Sequence, residues 1–296
     1  MARCGRASEE ITRTVVFETI SCGAGPALTA SISNWGSGYI TDLPYVPGYY
    51  RHQSPVHLHL ACLFGSVAGL DLGPGTPLSY LELGCGHGFG ALALAACNPC
   101  WRVTGIDFNP AHIAAARALA AEAGITNAQF LEADLATLMD DPRVREIPEA
   151  DVATMHGLWS WVTDPVRAGI VRLLGAKVRP GGVVQVSYNA LPAWQGALGM
   201  QRLLRESGER VAARSDRQAE AGLEIVSALA DAKAHHLHGL PFVESLLEHA
   251  RHCQIAYLAH EYMNKAWRPP RGAPSCSGGA RCRAWGSYAR PVMRQA

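Results

Sequence analysis

The segment Leu81-Glu82-Leu83-Gly84-Cys85-Gly86-His87-Gly88 constrains this chain more than any other. A short apolar run, Leu78 to Leu83, leads directly into glycines at 84, 86, 88 and 90, and Ala91 to Ala96 behind them reads as a helix. Glycine adopts backbone angles that other residues avoid. Such a loop can turn tightly and bring its backbone against a ligand at the carboxyl edge of a parallel sheet. No Gly-Lys-Ser/Thr follows, which excludes a P-loop. The spacing also departs from the GxGxxG fingerprint of dinucleotide-binding domains.

From there to Asn189 the order strand-then-helix repeats. Arg102 to Ile106 is a strand ending at Asp107, and Pro110 to Ala123 is an alanine-rich helix stopped by Gly124. Ala128 to Glu132 and Asp151 to Met155 are further strands. Pro165 to Val178 is a helix closed by Pro180-Gly181-Gly182, and Val183 to Tyr188 is a fifth strand. Upstream, Val56 to Leu70 reads as a helix. The alternation predicts an α/β fold with a doubly wound, mostly parallel sheet covered on both faces. Asp107 ends the second strand, where an acid can accept hydrogen bonds from both hydroxyls of a ribose. Asp134 follows the third strand. It can accept from an adenine amino group, cap the short helix behind it, or do both.

After Asn189 the pattern changes. Gln195 to Ala213, Ala219 to Lys233 and Phe242 to Ala250 carry Leu and Val at helical spacing. The expected organisation is a poorly ordered extension over 1–34, an α/β domain over 35–190, a helical cap over 191–267 on the substrate side, and a tail over 268–296. The tail has six Arg but no Asp, Glu, Leu or Ile. It is expected to be disordered, and its residue types are those of a GC-rich gene read out of frame. No strand pair is apparent after Asn189, so the sheet is expected to end at its fifth strand.

Apolar residues make up 48% and charged residues 17%, enough for a packed core. The net charge of +1 argues against a phosphate-gripping nucleic-acid binder. No apolar run approaches the length of a membrane span. Glu9, Glu10 and Glu18 spoil a signal peptide near the start, so a cytoplasmic protein with no membrane partner is expected. Nine cysteines at irregular spacing do not describe a disulfide framework. Cys97-Asn98-Pro99-Cys100 and His235-His236-Leu237-His238 lack the companions that zinc needs, so no metal site is expected.

The glycine loop with Glu82 before it resembles motif I of class I methyltransferases. Two other stretches narrow the likeness: His156-Gly157-Leu158-Trp159-Ser160-Trp161-Val162, and Ser187-Tyr188-Asn189-Ala190-Leu191-Pro192-Ala193-Trp194. With Asp42-Leu43-Pro44-Tyr45 and Tyr49-Tyr50, they resemble bacterial methyltransferases that carry a methyltransferase regulatory domain and are similar to rickettsial protein-lysine methyltransferases. The likeness runs from about Trp35 to about Trp267. Ala193 departs from it, standing where glycine is expected. The resemblance implies S-adenosylmethionine as cofactor. Glu82 would lie near its methionine end, and Gly84, Cys85, Gly86 and Gly88 would line it. Asp107 with Phe108 would hold the ribose, and Asp134 with Leu135 the adenine.

The Asn/Asp-Pro-Pro-aromatic motif of DNA amine methylation is absent after the fourth strand, and so is a Pro-Cys nucleophile. The resemblance implies that the acceptor is an amine, that of a protein lysine, with a small molecule as the alternative. His156 is the candidate base, beside Tyr188 and Asn189. Tyr45, Tyr49, Trp159 and Trp161 are candidate walls of the acceptor pocket, with core packing the competing role for both tryptophans. Cofactor binding without catalysis is the remaining alternative.

Overall fold

A computed structural model describes residues 39–45 and 48–269. The extension over 1–34 and all but the first two residues of the 268–296 tail lie outside the described residues. Five strands form one sheet: β1 (Ser79–Leu83), β2 (Arg102–Asp107), β3 (Ala128–Glu132), β4 (Ala150–Met155) and β5 (Val178–Val186). Their order is β3-β2-β1-β4-β5, and every pairing is parallel. The crossovers are α2 (Phe89–Cys97), α3 (Pro110–Glu122) and α4 (Asp164–Lys177), with α1 (Pro55–Phe64) ahead of β1. The order steps outward from β1 in both directions. β1 therefore adjoins the topological switch, and in such sheets ligands bind at the carboxyl ends beside it.

Helices on both faces explain why the central strands are buried along nearly their whole length. Along them, Tyr80, Val103 and Val152 point into one core, while Leu81, Leu83, Ile106, Ala153 and Met155 point into the other. Register then sets the site. Leu83 pairs with Ile106 and Asp107 with Glu132, so the ends of β1, β2 and β3 lie side by side.

Two boundaries differ from the sequence reading. α1 stops at Phe64 rather than Leu70, because Gly65 closes it and Ser66 takes a left-handed φ of 54°. Pro180-Gly181-Gly182 neither closes α4, which ends at Lys177, nor delays the next strand. β5 already begins at Val178, and these residues form a bulge between the Ala150–Val178 and Val152–Val183 pairs, with Gly181 at φ 83°. An edge strand tolerates a proline and a bulge that a central strand does not.

Beyond β5 come α5 (Ala197–Gly208), α6 (Ser215–Asp231), α7 (Pro241–His252) and α8 (Ile255–Tyr262). They enclose a third apolar cluster of their own, built on Trp194, Met200, Leu204, Val226, Leu246, Leu258 and Tyr262. Among the described residues the sheet ends at β5, where Val184 is 42% exposed. No helix among the described residues is long and apolar enough to cross a membrane.

Candidate functional site

The glycine loop is anchored to β2 by backbone bonds. Gly84 and Cys85 both donate to Ile106 O, at 2.8 and 3.1 Å. The Gly86 N–H donates to Asp107 Oδ2 at 2.9 Å, and the Asn109 N–H donates to Oδ1 at 2.9 Å. His112 Nδ1 lies 3.3 Å from the same Oδ1. Gly84, Gly86 and Gly88 all have positive φ, at 70°, 54° and 71°.

Their surroundings separate them. A Cβ on Gly88 would come within 2.6 Å of the Phe130 ring and 2.8 Å of the Ala116 methyl. This glycine lets α2 close onto β3 and α3, so its side faces protein packing rather than a cofactor. A Cβ on Gly84 would meet Leu158 at 3.3 Å, whereas one on Gly86 would meet nothing within 4 Å. Gly86 faces open space. Cys85 and Leu135, expected beside the cofactor, put buried side chains into the two cores flanking the sheet.

Glu82 stands on the central strand and is 6% exposed. Its Oε1 accepts from Gln53 Nε2 at 3.3 Å, and its Oε2 has no hydrogen-bond partner. Burial pushes its pKa up to about 7; the Gln53 bond works against this and the Asp107 charge with it. A buried carboxyl with one oxygen unmatched is costly, which marks the position as a place for a polar ligand.

Asp134 is exposed, and its Oδ1 accepts from the Ala136 N–H at 2.8 Å, so it caps the turn after β3. Its carboxylate keeps further acceptor capacity. Phe108 meets Tyr39 edge-on at 5.6 Å.

His156 is built into a cluster. Its Nδ1 lies 3.0 Å from His52 Nε2 and 2.9 Å from Ser187 Oγ, and the Tyr50 ring lies 4.0 Å from its own. Burial, then His52, pushes its pKa down to about 3. Such an imidazole is neutral and weakly basic, which argues against the base role its position suggested. Tyr188 is half-buried against the core beneath β4. Asn189 is buried, its N–H held by Ser160 Oγ at 2.8 Å and its Nδ2 donating to Glu261 Oε1 at 3.2 Å.

Tyr45 packs against His260 at 5.2 Å, and its hydroxyl would lie 3.6 Å from a Cβ on Gly157, just past β4. Tyr49 is exposed. Trp159 is 8% exposed within the core formed with Ile170 and Leu173, so its ring serves packing rather than an acceptor. Trp161 packs on the helical cluster, and its carbonyl accepts from Asn264 Nδ2 at 3.0 Å.

The carboxyl edge of the sheet thus gathers Glu82, Gly86, Asp107, Phe108 and Asn189. Tyr39, Tyr50, His52, Gln53, Tyr257 and Glu261 join them without having been singled out from the sequence. Residues 39–53 have no periodicity to read, and α8 becomes meaningful only once its Glu261 meets Asn189 past the end of β5.

Comparison with known proteins bears on the fold and the domain type. A family model for the methyltransferase domain matches residues 81–182. An uncharacterized protein of Synechocystis, sll1526, is 33% identical over 79% of this chain and 45% of its own length. An uncharacterized protein of Rickettsia prowazekii, RP028, is 28% identical over 56% of this chain and 61% of its own. The chain therefore spans about half the length of these relatives. Among solved structures, PKMT2 from Rickettsia typhi in complex with AdoHcy shares the fold, with a TM-score of 0.60 and 23% identity over 77% of this chain and 42% of that one. Residues 81–182 thus match a methyltransferase domain, and the described chain has a fold shared with PKMT2.

Proposed function

We propose that this protein transfers a methyl group from S-adenosylmethionine to an amine, with a protein lysine as acceptor. The observation that carries the proposal is the carboxyl edge at β1 and β2. There Glu82 leaves a buried oxygen unmatched, and Gly86 turns its bare α-carbon to open space beside Asp107. These residues fit the cofactor. Glu82 would take its methionine end, whose ammonium suits a buried carboxyl. Asp107, with acceptor capacity beyond its two backbone donors, would hold the ribose hydroxyls. Phe108 and Asp134 stand where an adenosine would continue. When bound, the cofactor supplies an electrophilic methyl group on a sulfonium.

The chain's own task is then to position an amine, keep water out and remove its proton. A lysine acceptor is supported by the resemblance of the His156–Val162 and Ser187–Trp194 stretches to protein-lysine methyltransferases, and by the shared fold of PKMT2. A second reading, cofactor binding without transfer, is favoured by the sheet ending at β5 among the described residues. Incubation with radiolabelled S-adenosylmethionine and a bacterial lysate, followed by mass identification of the modified residue, tests the proposal. Label on lysine is expected. Binding by calorimetry without any transfer would support the second reading.

A further inference from the structure

We propose that Glu261 is the group that receives the acceptor amine, binding its ammonium and taking its proton; this rests on the methyltransferase reading above. Glu261 lies on α8 and is 8% exposed. Its Oε1 is held by Asn189, which follows the carboxyl end of β5 and is itself held by Ser160. The carboxyl group is thereby fixed at the edge of the sheet that also carries Glu82 and Asp107. Burial pushes its pKa up to about 7, Asn189 draws it down, and among the described residues no cation is paired with it.

Its surroundings are tyrosines. The Glu261 charge acts on the hydroxyls of Tyr39, Tyr45 and Tyr257, and burial raises the pKa of all three. Each nevertheless keeps part of its surface accessible. Tyr39 meets the Phe108 ring on one side and the His260 ring on α8 on the other, and it feels the charges of Asp107 and Glu261, so aromatic contacts link the end of β2 to the helix that carries Glu261. Aromatic faces and one carboxylate are what an ammonium ion prefers.

In such a dry site the pair R–NH3+ and carboxylate relaxes to R–NH2 and carboxylic acid, because burial penalises both charges. The nitrogen lone pair can then form the new N–C bond as the methyl–sulfur bond breaks and sulfur keeps that electron pair. The proton taken from the ammonium stays on Glu261 until water removes it.

A purely structural Glu261 would need only an oxygen to accept from Asn189, and a glutamine supplies that. The test therefore compares wild type with Glu261→Gln. S-adenosylhomocysteine is titrated by calorimetry, and n-butylammonium, a copy of the lysine side-chain end, by NMR. The expected result is butylammonium binding at least tenfold weaker in the variant, with S-adenosylhomocysteine bound equally by both. Methyl transfer to lysate proteins should fall by roughly a hundredfold or more. Equal butylammonium binding by the two proteins, or none by wild type, overturns the proposal. If wild type fails to bind S-adenosylhomocysteine, the methyltransferase reading falls first and the acceptor role falls with it. Should the glutamine variant not fold, Glu261→Asp, which withdraws the charge by one methylene, is read by the same titrations with the same expected direction.

Discussion

Alanine at Gly86 and alanine at Gly88 are the same chemical change at two positions of nearly the same backbone conformation, and they should fail in different ways. At φ 54° an alanine at 86 pays the left-handed penalty of about 1 kcal/mol, and its methyl meets nothing within 4 Å. For a chain of this size that lowers the melting temperature by roughly 3 °C. An alanine at 88 carries the same backbone cost and also drives its methyl to 2.6 Å from Phe130 and 2.8 Å from Ala116. Overpacking of that kind adds about 1–3 kcal/mol, so a fall of roughly 5–15 °C is expected. Cofactor affinity should sort the other way per unit of lost stability. The Gly86→Ala methyl occupies the space before Asp107 and should weaken S-adenosylhomocysteine binding roughly tenfold or more, about 1.4 kcal/mol. Thermal melting of the ligand-free proteins and calorimetry of the folded ones decide the matter. Unchanged affinity in Gly86→Ala would refute the reasoning that the open space is ligand space. A Gly88→Ala protein that melts with wild type would refute the packing role.

Asp107→Asn keeps one acceptor oxygen for the loop but loses the charge, and should weaken cofactor binding by about 1.5–3 kcal/mol in calorimetry, with the fold retained by circular dichroism. Glu82 has its pKa raised from 4.5 to about 7, so the folded chain keeps a proton that the unfolded chain has released. Its contribution to stability is complete below about pH 4.5 and is lost as pH rises to about 7, a change of roughly 3 kcal/mol. Glu82→Gln should flatten that part of the ligand-free stability curve, and denaturation curves that stay parallel to wild type would contradict the assignment. His156 is shifted the other way, from 6.5 to about 3, so its contribution is present above pH 6.5 and lost as pH falls toward 3. His156→Phe should cost about 2 kcal/mol at neutral pH through the lost His52 and Ser187 bonds, yet make the acid limb shallower in urea titrations.

The strands are legible in the sequence where burial on both faces makes a mostly apolar run bounded by turn residues. The β2 and β4 runs show this, and Asp107 reads as a strand end because a turn follows it. Pro180-Gly181-Gly182 misled because a breaker stops a helix but only bulges an edge strand. The glycines of the loop look alike in sequence. What distinguishes Gly88 from Gly86 is a ring from β3 and a methyl from α3, brought in from far along the chain. The pairs that make the site chemical are equally remote: Gln53 with Glu82, His52 with His156, Asn189 with Glu261. No local pattern encodes such pairs, since each forms only after the sheet and α8 have assembled.

The helical layer and the sheet keep separate apolar interiors, and this governs how the molecule comes apart. Besides Trp161, Leu191 and the ring contacts of Tyr39 and Tyr45 with His260, the seam between them is held, among the described residues, by polar contacts: Asn189 with Glu261, Asn264 with the Trp161 carbonyl, Arg268 N with Ser160 O, and His260 with the Pro44 carbonyl. Hydrogen bonds contribute little net free energy compared with a buried apolar face, so the seam is the cheapest surface to open. The helices can undock as one cooperative unit while both cores of the sheet stay closed, and unfolding followed from the two halves need not coincide. Residues 39–45 and 48–54 lie along that seam, with Asp42 accepting from the Ser215 N–H on one side and Gln53 donating to Glu82 on the other. A ligand seated at Glu82 therefore strengthens the docking of helices it never touches, and the docked helices in return raise affinity for that ligand by the same factor.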